Sequence, residues 1–109
     1  MGASLVSRGN MVDYTPGSAV TAGAVVVQGE LVGVANLDIP ANKLGALTVS
    51  GVFDFSKGVG VIAAGANVYW DVADAEATTA ADSGTNKLIG KAVIAAASAD
   101  TTVRVRLSQ

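Results

Sequence analysis

Thr101-Thr102-Val103-Arg104-Val105-Arg106-Leu107 alternates without a break, with Val103, Val105 and Leu107 on one side and Thr102, Arg104, Arg106 and Ser108 on the other. Successive side chains of a strand point to opposite faces, so this pattern predicts a half-buried strand with a polar outer face. Arg104 and Arg106 share that outer face and form either a candidate basic stripe or the solvated outside of an edge strand.

The same β-type signal recurs at close spacing along the rest of the chain. Residues 46–55 alternate too, with Leu47, Val49, Gly51, Phe53 and Phe55 opposed to Thr48, Ser50, Val52 and Asp54, and predict one long strand. Residues 24–28, Ala-Val-Val-Val-Gln, are rich in β-branched residues and predict a strand, joined through Gly29 and Glu30 to a second strand over 31–35. A turn region follows over 36–43, where Pro40 cannot donate to a ladder. The glycines of 56–65 predict a loop, with room for one helical turn at 61–64. Residues 67–71 read as a strand, 74–79 as its hairpin partner, and 80–86 as a polar turn. Residues 87–97 read as a strand interrupted by Gly90, which marks a bulge or a close approach of backbones. The five alanines of 88–99 favour helix, but Ile89, Val93, Ile94 and Gly90 oppose it. The expected fold is all-β: a small β-barrel or two-layer β-sandwich of about seven to nine short strands, in a single domain over 1–109.

Composition narrows the function. Hydrophobic residues are 50% of the chain but aromatic residues only 5%, so the core is built largely of alanine and valine. Small side chains bury little area each, and such a protein gains from burying further surface against other subunits. The net charge of −2, with seven scattered basic residues, argues against a nucleic-acid surface. The absence of Cys excludes disulfides and thiolate zinc sites, and the absence of His removes the usual base near neutral pH. No apolar run has the length of a membrane span, and residues 1–10 lack the pattern of a signal peptide, so synthesis in the cytoplasm is expected.

Tests for chemistry fail one by one. Gly84 is followed by five residues before Gly90-Lys91, and Ala92 stands where a phosphate-binding loop needs a hydroxyl. Gly58-Val59-Gly60-Val61-Ile62-Ala63 matches a loose dinucleotide pattern but does not open a helix in a βαβ unit. Asp71, Asp74 and Glu76 are close enough in sequence to share a cation, but lack the dense ligand loop of a calcium site; an acidic hairpin turn is the simpler reading. No nucleophile-elbow serine is present. Neither a catalytic residue nor a metal or cofactor site is expected.

Tyr69 and Trp70 must face opposite sides of their strand. Trp70 shares a side with Val68 and is the core candidate; Tyr69 then faces a second packing layer or a subunit interface. At the N-terminus, Leu5-Val6 gives the polar segment 1–10 a small apolar patch, either an arm that orders on binding or a frayed end.

An ordered series of segments carries a family resemblance. Gly9 and Asp13-Tyr14 are followed by Gly23-Ala24-Val25-Val26-Val27, Leu31-Val32-Gly33-Val34-Ala35 and Gly51-Val52-Phe53. Then come Gly65-Ala66-Asn67-Val68-Tyr69-Trp70-Asp71, Thr78-Thr79, Leu88-Ile89-Gly90-Lys91-Ala92 and Val103-Arg104-Val105-Arg106-Leu107. From Ser7 to Leu107 the chain resembles the small capsid cement, or head decoration, proteins of tailed phages and prophages. Some of these carry an inherited label as a phage recombinase. Many relatives have Gly-Asp where this chain has Gly23-Ala24, a departure that touches no active site, since the family has none established.

The resemblance implies a β-rich subunit on the capsid exterior of the virion, bound to the major capsid protein and reinforcing its contacts. It also implies self-association, with a trimer favoured and a dimer the alternative. No nucleic acid, membrane or small-molecule partner is expected, and no cofactor. The recombinase label conflicts with the missing phosphate loop and basic field. Another virion β-module, in a tail or fibre, is the alternative. The candidate interface or structural residues are Leu5, Val6, Tyr69, Trp70, Asp71, Gly90, Arg104 and Arg106.

Overall fold

The alternating C-terminal segment forms a strand over Thr102–Leu107, and its inward residues Val103, Val105 and Leu107 are all buried. A computed structural model of the chain describes residues 2–3 and 9–108. Leu5 and Val6, and with them most of the candidate arm over 1–10, lie outside the described residues. Among the described residues there are nine strands: β1 Met11–Tyr14, β2 Val25–Gln28, β3 Leu31–Ala35, β4 Gly45–Thr48, β5 Gly51–Ser56, β6 Asn67–Asp71, β7 Glu76–Thr78, β8 Lys87–Ala92 and β9 Thr102–Leu107. One 3-10 turn, Asp82–Gly84, precedes β8. The all-β expectation holds.

The strands form two antiparallel sheets. The four-stranded sheet runs β1-β4-β3-β2 and the five-stranded sheet β5-β9-β8-β6-β7. Neither closes into a barrel. The end strands of the larger sheet meet at an isolated parallel bridge, Lys57 with Ala77, which is too short to make a ladder. Of the two architectures left open by the sequence, two separate sheets is the one observed.

The chain divides into two compact units, Met1–Val26 with Gly33–Ser50, and Val27–Val32 with Gly51–Gln109. Strands β2 and β3 cross that boundary along the chain. In the first unit Ala35, Ile39 and Leu47 form the buried cluster, with Val12, Tyr14, Val20 and Val26 packed against it. In the second, Phe55, Ile62, Val68, Trp70, Ile89, Val103, Val105 and Leu107 are among the buried residues. The Phe55 ring lies 6.0 Å from Trp70 and 6.2 Å from Phe53, centroid to centroid.

Three segment boundaries depart from expectation. The long strand over 46–55 is two strands in two sheets: the chain leaves β4 after Thr48 and enters β5 at Gly51, whose φ of 121° an L side chain rarely adopts. Alternation alone could not reveal this, because both halves keep one face buried. No helical turn forms at 61–64; Ile62 is buried and bridges Ala96 instead. The strand over 87–97 ends at Ala92. β1 was not anticipated as a strand, since its four residues are too few for a periodic signal.

The bulge expected at Gly90 has a clear geometry. Val68 stands opposite Gly90 but Tyr69 opposite Leu88, so Ile89 is the extra residue of β8. Ile89 and Gly90 are consequently both buried, although they are adjacent. A Cβ at Gly90 would collide with the backbone carbonyl of Arg106 on β9. Only glycine lets those backbones approach so closely.

Candidate functional site

Two exposed surfaces stand out, one on each unit. On the first, the turn after β3 leaves Leu37 77% exposed and the segment before β4 leaves Leu44 70% exposed. With Met11, Ile39 and Pro40 they line a concavity of about 210 Å³. Asp38 supports the turn by accepting a hydrogen bond from the Ala22 amide at 2.7 Å. Large apolar side chains grouped on a surface mark sites of protein contact.

On the second unit, the register of the five-stranded sheet lines up its outward residues. Val52 of β5 pairs with Arg106 of β9, Arg106 with Lys91 of β8, and Lys91 with Asn67 of β6. All four are exposed. In the next row Asp54 of β5 pairs with Arg104 of β9. Arg104 donates from Nε to Asp54 Oδ1 at 3.0 Å and from Nη2 to Asp54 Oδ2 at 3.3 Å. These hydrogen bonds, with the charge of the guanidinium, hold the Asp54 carboxyl below its usual range and raise Arg104 above its own.

The other predicted residues fall as follows. Trp70 turns inward, 7% exposed, against Phe55. Tyr69 is half-buried on the opposite face of β6. Asp71 is half-buried and its Oδ1 accepts from the Asp74 amide at 3.2 Å, closing the β6–β7 turn. Among the described residues no group of three acidic, His or Cys side chains could hold a metal ion, and Asp71, Asp74 and Glu76 do not converge on one. Gly90 is buried under β9. The structure therefore brings Arg104 and Arg106 onto one face and keeps Trp70 and Gly90 in the interior.

Sequence reasoning missed Met11, Leu37, Leu44 and Lys91. Leu37 and Leu44 sit in irregular chain, where no period reports which way a side chain points. Lys91 was legible in principle: it alternates with Gly90 and Ala92, and only the bulge hid the phase.

Lys57 is buried, and its Nζ donates to the carbonyls of Gly58 at 2.9 Å, Ser98 at 3.3 Å and Asp100 at 3.3 Å. It ties three loop carbonyls together. Lys87 bonds Glu30 at 2.8 Å and the Gly84 carbonyl at 2.8 Å. Among the described residues no helix is long and apolar enough to cross a membrane.

Fold and surface together define a small all-β module whose two conspicuous features are exposed faces. Residues 6–107 match the phage cement protein family, and the chain belongs to that family. Its role is thus structural and associated with the phage capsid. Comparison with curated proteins gave no match, and comparison with solved structures gave none.

Proposed function

We propose that this protein docks on the outer surface of an assembled phage head and reinforces the contacts between major capsid proteins. The observation that carries this reading is the family match across residues 6–107. The exposed leucines of the first unit and the aligned outer row of the second are surfaces suited to protein contact. The protein acts as a homo-oligomer, a trimer in preference to a dimer. Once one subunit of an oligomer has docked, each later contact is intramolecular, and modest contacts add up to firm attachment.

Co-sedimentation with capsids tests the reading. Purified protein is expected to pellet with expanded capsids and to bind unexpanded precursors less. No binding at about micromolar concentration would overturn it. Electron microscopy that places the protein on tails rather than heads would overturn it as well.

A further inference from the structure

Two neighbouring rows of the five-stranded sheet treat their charges in opposite ways. Asp54 and Arg104, directly opposed, satisfy each other. One row along, Lys91 and Arg106 are directly opposed with the same sign. Like charges in register destabilise a sheet. Among the described residues neither makes an ion pair or a side-chain hydrogen bond. Asp54, the anion of the adjacent row, is engaged by Arg104. Val52, 56% exposed, borders Arg106 on the other side. Val93 is also exposed, and its amide donates to the Arg104 carbonyl at 2.9 Å.

A face kept only for solubility would gain by alternating its charges across the register, as the adjacent row does. Here two cations are left unanswered beside exposed valines, on a chain whose net charge is −2. Nucleic acid is a poor occupant: two cations fall short of the roughly six to ten phosphate contacts that firm binding uses, and the overall field repels a polyanion. A protein carboxylate suits the spacing of a cross-strand pair.

We propose that the row Val52, Arg106, Lys91 and Asn67 is the face that meets the protein shell, and that it receives a shell segment whose acidic side chain bridges Lys91 and Arg106. An apolar neighbour of that acidic residue covers Val52. This inference rests on the capsid-docking reading and names the surface and the chemistry of the contact.

The test is binding to capsids stripped of this protein, at low and at physiological ionic strength, with Lys91→Gln/Arg106→Gln and with Lys43→Gln as a control on the first unit. The double variant is expected to bind about tenfold more weakly and to lose most of its salt dependence. Its melting temperature should hold or rise by about 1–4 °C, because a like-charge pair has been removed. Lys91→Gln alone should show a smaller loss in the same direction. Lys43→Gln should bind like the wild type. Undiminished binding by the double variant, or an equal loss in Lys43→Gln, overturns the proposal while the docking reading stands. Failure of the wild type to bind capsids defeats the docking reading itself. Salt-sensitive binding of duplex DNA that the double variant loses would assign the row to nucleic acid instead.

Discussion

Asp54 and Arg104 face each other across β5 and β9 and make a two-pronged contact, at 3.0 and 3.3 Å, on the exposed side of the sheet. The hydrogen bonds from Arg104 depress the Asp54 pKa, and the pair is open to solvent and screened by salt. Because the folded-state pKa lies below the unfolded one, the unfolded chain binds more protons between the two values. The pair's contribution to stability is therefore complete above the unfolded value of about 3.9 and is lost as pH falls through the lower folded value. A carboxyl titration by NMR should place Asp54 below the ordinary aspartate range, and Arg104→Gln should return it there. An unshifted Asp54 in the wild type would contradict this account.

Core truncation should report on cooperativity between the units. Phe55 is 2% exposed and touches Trp70, so Phe55→Ala is expected to cost about 3–5 kcal/mol. Leu47, fully buried in the first unit, should cost about 2–5 kcal/mol when replaced by alanine. Because β2 and β3 both run across the unit boundary, we expect a single domain that unfolds in one transition. Both variants should then lower the same urea midpoint. Two separable transitions, each moved by one variant, would show that the units fold independently.

Glycine substitutions should divide by backbone clearance. Gly90→Ala forces a methyl group onto the Arg106 carbonyl and should destabilise by about 2 kcal/mol or more. Gly17→Ala meets nothing within 4 Å and should stay within about 0.5 kcal/mol of the wild type. Chemical denaturation of the two variants side by side checks both values.

Lys57→Met keeps the length of the buried side chain and removes its ammonium. The Gly58, Ser98 and Asp100 carbonyls then lose a charged donor, for an expected cost of about 1–3 kcal/mol. Hydrogen exchange should show faster opening around residues 98–101, where the Lys57 amide also donates to the Thr101 carbonyl at 2.9 Å. A variant as stable as the wild type would mean that water replaces the ammonium at no cost.

Much of the fold is legible wherever alternation is unbroken. In β9 every inward residue predicted from period 2 is buried, and in β6 Val68 and Trp70 turn inward as the pattern requires. Local turn chemistry is legible as well: Gly29, with φ of 62°, joins β2 to β3 where the glycine suggested it. The boundary between Thr48 and Gly51 is not legible, because a chain that changes sheets can do so without changing phase. The candidate surfaces were read only in part. Arg104 and Arg106 announced themselves by sharing a face, but Arg104 is neutralised by Asp54, a partner 50 residues away in the chain.

The strand-forming segments, their inward faces and the family to which the chain belongs can all be read from the order of residues, because period, turn residues and ordered motifs are properties of neighbours along the chain. Which strands pair, and in what register, emerges only in the folded molecule. Register is a matter of residues far apart in sequence, and a shift of a single residue would have placed Arg106 against a different neighbour and left Lys91 without its like-charged companion.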